Sequence, residues 1–140
     1  MKSIAVCSAA VCFLCVGRAW GVADEKEAQS KKVFEMRTYI ANEGKLDDLN
    51  ARFRDHTTKL FEKHGIENVG YWVPTDGEAA KNTLIYIVAH KSRENAKKNW
   101  AEFVEDPDWK KASAASHKNG PLVKDIKAVY LKPTDYSKIK

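Results

Sequence analysis

Apolar positions along the chain fall into two alternating periods. Val33 to Ile40 repeats every second residue, with Val33, Glu35, Arg37 and Tyr39 on one side and Phe34, Met36, Thr38 and Ile40 on the other. The second set is the more apolar and is expected to face the core. Asn42-Glu43-Gly44 breaks this strand. Leu46, Leu49, Phe53, His56, Leu60 and His64 then recur at spacings of three and four, which predicts a helix from about Lys45 to His64. Gly65 suits its left-handed C-terminal position. Strand character returns over Ile66 to Pro74, with Val69, Tyr71 and Val73 set against Gly70 and Trp72. It returns again over Asn82 to His90, the most apolar of these segments and therefore expected at the centre of a sheet. Ser92 fits the N-cap of a second helix running to about Glu105, with Ala96, Trp100, Phe103 and Val104 as its buried stripe. Asp106 and Pro107 restart a short helix that ends near His117. Asp125 to Lys132 forms the last strand, Pro133 ends it, and a polar tail over 134–140 follows.

The order strand, helix, strand, strand, helix, strand is the βαββαβ plan. It predicts an α+β, ferredoxin-like domain over residues 33–133, a four-stranded antiparallel sheet with helices on one face. The helices can cover only that face. The other is expected to carry Arg37 and Tyr39 with a share of the aromatics Tyr71, Trp72, Tyr86 and Tyr130. An aromatic sheet surface of that size calls for a cover, and the simplest is a two-fold homodimer with the open faces packed together.

Upstream of this domain the pattern changes. Lys2 precedes an apolar run over Ile4 to Val16, too short for a membrane span, which needs about 20 residues. Gly21-Val22-Ala23 follows as a signal-peptidase site. Residues 1–23 are therefore expected to be a cleaved secretory leader, residues 24–32 a disordered charged linker, and the protein exported to a periplasm or the medium. Val6, Val11 and Leu14 precede the three cysteines, where a lipoprotein signal needs small residues. Cys7, Cys12 and Cys15 all lie in the leader, so the exported chain has no disulfide, thiolate nucleophile or Cys-ligated metal. No stable membrane insertion is expected once the leader is removed. The formal charge of +5 and pI near 9.0 are carried by dispersed lysines interleaved with acids. No concentrated basic stripe marks a nucleic-acid partner.

Glu35-Met36-Arg37-Thr38-Tyr39, His64-Gly65, Gly70-Tyr71-Trp72 and Asp106-Pro107-Asp108-Trp109, in this order and spacing, resemble the NIPSNAP family across essentially the whole domain. That family is similar in fold to the dimeric α+β barrels, among them small antibiotic-biosynthesis-type monooxygenases and haem-handling proteins. The resemblance implies a homodimer and no settled activity. Its eukaryotic members are linked to membrane trafficking and mitochondria, but this leader is secretory in type, not an Arg-rich transit peptide.

Candidate chemistry is sparse. Glu35 and Arg37 stand two apart on one strand face and are expected to pair, or to hold a polar ligand. His56 falls on the apolar side of its helix, as a core histidine or as a general base beside Arg37 and Tyr39. Eight residues separate it from His64, about 12 Å of helix rise, so the two cannot share a metal. His64 fits a helix-end role. Trp72, Trp100 and Trp109 sit at core spacings, and Asp106 and Asp108 at cap positions. There is no phosphate loop, nucleophile elbow or zinc signature, so no cofactor is expected. Ligand-binding candidates are Glu35, Arg37, Tyr39, His56, Trp72 and Tyr86. Three functions fit: a homodimer binding a small, partly apolar molecule between sheet and helices; a cofactor-free monooxygenase or isomerase using His56 as base; or a structural interaction module.

Overall fold

The computed structural model describes residues 32–140, so the leader and all but the end of the expected linker lie outside it. Four strands form one antiparallel sheet: β1 (Val33–Ala41), β2 (Glu67–Trp72), β3 (Thr83–His90) and β4 (Val123–Leu131). Their order is β2-β3-β1-β4, which puts β3 inside the sheet as its apolarity predicts. Helices α1 (Leu46–Arg52) and α2 (Thr58–Lys63) join β1 to β2, while α3 (Arg93–Glu105) and α4 (Pro107–Ser116) join β3 to β4. This is the expected ferredoxin-like α+β fold.

The local stop and start signals act as their chemistry requires. Ser92 Oγ accepts from the Asn95 backbone N–H at 3.1 Å, and Asp106 Oδ1 accepts from that of Asp108 at 2.7 Å ahead of Pro107. Gly65 closes the first helical run at φ +69°, a conformation open to glycine. Its carbonyl is held by Asn99 Nδ2 at 2.8 Å, which ties the helix end to α3.

The faces of β1 are the reverse of the expectation. Register sets Glu35 beside Val88 and Tyr130, Arg37 beside Tyr86 and Ala128, and Tyr39 beside Leu84 and Ile126. That row lies under the helices: Tyr39 packs edge-on to Phe53 with centroids 5.7 Å apart, and Trp100 of α3 bonds Glu35. Phe34, Met36, Thr38 and Ile40 occupy the helix-free face instead. Of the aromatics assigned to that open face, Tyr71, Tyr86 and Tyr130 share the helix side by register, and only Trp72 stays. Trp72 is 51% exposed and folds back over Gly70, whose absent side chain leaves the indole its space. It is therefore not a core residue. Phe34 escapes exposure because the C-terminal segment around Pro133, Ser137 and Ile139 backs onto it.

A second correction concerns the first helix. Phe53–Thr57 is a π-helical turn. The Thr58 N–H reaches the Phe53 carbonyl five residues back, and Thr57 Oγ1 donates to the Arg52 carbonyl at 3.2 Å. Each residue in the wider turn advances the helix by a smaller angle. The inward position after Phe53 therefore falls on Thr57, which is buried, and His56 is exposed. The core then runs through Leu49, Phe53, Phe61, Tyr86 and Phe103. On α3, Asn99 is buried in place of Val104, which is exposed.

His56→Ala should accordingly leave the denaturant midpoint nearly unchanged, within about 0.5 kcal/mol. A loss of about 1–3 kcal/mol would return the imidazole to the core.

Candidate functional site: a buried ion pair beside an aromatic cavity

The polar row of β1 is tolerated under the helices because its groups satisfy one another. Arg37 Nε donates to Glu35 Oε1 at 2.7 Å, and Trp100 Nε1 donates to Oε2 at 2.7 Å. Helix α3 thus delivers an indole N–H to a carboxylate that the strand buries, with only 2% of its side chain exposed. The Arg37 guanidinium lies 3.9 Å from the Trp100 ring centre, a cation–π stack. His90 brings Nε2 to 3.4 Å of Oε2, an ion-pair distance. Among the described residues neither ring nitrogen of His90 finds a well-formed hydrogen bond. Burial by itself would raise the Glu35 carboxyl, but His90, Arg37 and Trp100 outweigh it and hold its pKa down at about 2. Arg37 is likewise pulled down by burial and more than restored by Tyr86, Glu35 and Tyr39.

Next to this pair the sheet carries two phenols, Tyr39 and Tyr86, with ring centroids 5.3 Å apart. Tyr86 is fully buried and its hydroxyl lacks a well-formed hydrogen bond among the described residues. Burial pushes its pKa well up, so it stays a neutral phenol. Beyond Tyr39 a cavity of about 280 Å³ opens between β1, β4 and the helices. Tyr39, Phe53, Phe61, Phe103, Trp109 and Ile126 give it apolar walls, Ser113, His117 and Thr57 add polar edges, and Arg52 closes one side.

Arg52 is the residue that sequence reasoning missed. It is 6% exposed. Its Nε meets no acceptor among the described residues, and Nη1 reaches Ser116 Oγ at 3.3 Å. The signal was present in its position three residues after Leu49, on the same inward stripe as a base. His90 was missed as well, and nothing but register announces it. Of the expected candidates, the structure brings Glu35, Arg37, Tyr39 and Tyr86 together and leaves out two. Trp72 stands on the opposite face of the sheet. His56 lines a separate outer hollow with Asp48 and Asp55, which shares only Arg52 with the cavity. The imidazole that does border the cavity is His117.

A second polar knot fixes the α3–α4 corner. His64 Nε2 lies 2.6 Å and Lys63 Nζ 2.8 Å from Asp106 Oδ2. Lys63 first and His64 second hold the Asp106 carboxyl well below its usual range. Asp106 caps α4 through its other oxygen, while His64, the residue that follows α2, turns its imidazole to Asp106. Among the described residues no group of three or more potential ligands is placed to hold a metal ion, and no helix is long and apolar enough to cross a membrane.

This is a ferredoxin-like sheet with an aromatic, arginine-bearing cavity beneath its helices. The NIPSNAP family model matches residues 34–138, and the chain belongs to that family. Its fold is similar to a NIPSNAP family protein of unknown function from Agrobacterium tumefaciens, at 22% identity and TM-score 0.68 over 79% of this chain and 96% of the other. A NIPSNAP-like domain protein from Burkholderia xenovorans matches at 16% identity and TM-score 0.67, covering 77% and 90%. The same fold recurs in a putative antibiotic biosynthesis monooxygenase from Chloroflexus aurantiacus, at 17% identity and TM-score 0.51 over 79% of this chain and all of that one. No curated protein matches the chain.

The Glu35 network predicts an acid-sensitive term in stability. The folded-state pKa of about 2 lies below the reference value of 4.5. The contribution is therefore complete above about pH 4.5 and drains away as pH falls towards 2. Equilibrium unfolding of Glu35→Gln should lack that component of the acid slope; an unaltered slope would detach Glu35 from it. Trp100→Phe, which keeps the ring and deletes the donor, should cost about 1–3 kcal/mol in the same measurement.

Proposed function

We propose that this NIPSNAP protein is an exported homodimer that binds a small, partly apolar molecule between sheet and helices. The observation that carries the reading is the cavity of about 280 Å³, walled by aromatics on rigid elements and edged by a few polar groups. Pairing of copies is supported by the helix-free sheet face, where Trp72 and Val129 are about half exposed beside the partly exposed Met36, Ile85 and Ile87. The sequence pattern of residues 1–23, read as a secretory leader, supports export. The monooxygenase alternative with His56 as base has less support, because the imidazole borders an outer hollow and not the cavity that Tyr39 lines.

Sedimentation at micromolar concentration should give about twice the mass of the leader-free chain, and Val129→Glu on the open face should shift it to monomer with the fold retained. A monomeric parent protein would sink the pairing. Native mass spectrometry of protein purified from its own host should show a retained small molecule. Ser113→Trp, which fills the cavity, should lose it; retention in that variant would place the ligand elsewhere.

A further inference from the structure

We propose that the ligand of this cavity is an apolar or aromatic monocarboxylate whose anionic head is held by Arg52. The inference rests on reading the cavity as a ligand site, and adds the charge and chemical class of what enters.

Charge balance under the helices is the starting point. Under the helices stand the buried Glu35, the partly buried Arg37 and the buried Arg52, apart from Asp106, which Lys63 and His64 hold at the α3–α4 corner. The first two cancel in a 2.7 Å ion pair. Arg52 makes no ion pair with any carboxylate among the described residues, although Asp48 and Asp55 line the outer hollow on its far side. On the cavity side its neighbours are the Tyr39 phenol and the Trp109 ring, 5.2 Å from its guanidinium carbon, with Tyr86 buried beyond them, while the Ser116 hydroxyl stands on the side of the outer hollow. An arginine stays charged in a protein, so the buried cluster keeps one excess positive charge. Buried charge is normally paired, and one bound monoanion makes this cluster neutral.

The backbone supplies an independent reason. Arg52 is the last residue before the π turn, and its carbonyl accepts the Thr57 hydroxyl within that turn. Such single wide turns interrupt regular hydrogen bonding and recur at functional positions. This one lies against the cavity, with Arg52, Phe53 and Thr57 all in its lining. The guanidinium has a donor to spare: Nη1 is engaged by Ser116, while Nε–H has no acceptor among the described residues. A planar fork of that kind suits a carboxylate. The remainder of the lining is aromatic and aliphatic, which selects an apolar body behind the anionic head.

Calorimetric titration of the full protein with 1-naphthoate and its neutral counterpart 1-naphthamide tests this. Naphthoate should bind at least about ten-fold more tightly. Arg52→Met should erase that preference, leave naphthamide binding in place, and raise the unliganded melting temperature by removing an unpaired buried cation. Arg52→Lys should keep part of the preference. Equal binding of both probes to the parent protein would overturn the anion assignment and leave the cavity reading standing. A preference that persists in Arg52→Met and disappears in His117→Gln would move the anion to His117 and overturn it too. Binding of neither probe, or equal binding in Ser113→Trp, would bring down the cavity reading and this inference together.

Discussion

Much of this architecture depends on one buried carboxylate. Glu35 lies inside the sheet–helix interface, where an isolated charge would be untenable. It survives by accepting from Arg37 on its own strand and from Trp100 on α3. Those two bonds couple the face of β1 to the rotation of α3. Turning the helix withdraws the indole N–H, and slipping the strand by one residue sends both charges to the opposite face. Losing the charged partner of such a pair costs about 3–5 kcal/mol, whereas replacing the whole of it by apolar groups is often neutral. Its role is therefore better understood as orientation than as net stability. It decides which side of β1 the helices cover.

The consequence reaches the cavity through the next residues along the strand. With Glu35 and Arg37 turned inward, Tyr39 must turn inward as well, where it meets Phe53 and Tyr86. The π turn makes the complementary adjustment from the helix side. It advances the buried stripe from Phe53 to Thr57, keeps Arg52 inside and rotates His56 out to solvent. Strand and helix thereby place a phenol and a guanidinium on facing walls of one aromatic space.

The topology and the caps were legible in the sequence because their signals are local. Ser92, Asp106, Pro107 and Gly65 each act within a few residues of themselves, and each does what its side chain or backbone freedom dictates. The faces of β1 were not legible by the same logic. Alternation identifies two sides and assigns the polar one to water, but Glu35, paired with Arg37 beside it, also accepts a hydrogen bond from a tryptophan 65 positions away, a partner no strand pattern reveals. Both sides of β1 are in fact shielded, one by helices and the other partly by the C-terminal segment. The displacement of His56 has a comparable origin. Spacings of three and four presume a uniform turn, and a single π turn breaks the phase midway. Arg52 was visible on the inward stripe, but a base there ordinarily signals a stem lying along the surface with its head in water.

The two faces of the sheet have different compositions, and this separates their roles. The helix side combines phenols, an internally balanced ion pair and one arginine with spare hydrogen-bonding capacity, in a space too small for anything but a small molecule. The open side carries Trp72, Val129, Ile85, Ile87 and Met36, with Thr38, Lys127 and Asp125 towards one end, a surface suited to extended contact and not to enclosure. The sheet itself lies between them, with Tyr86 filling its helix side and Ile85 and Ile87 its other side. Occupation of the cavity therefore does not require that a second copy complete its walls. Any influence of pairing on binding must pass through the register of β1 and β4, the strands that line the cavity and also present side chains to the open face. That register is held from the helix side by Glu35, Arg37 and Trp100, which leaves the cavity walls anchored independently of what covers the opposite face.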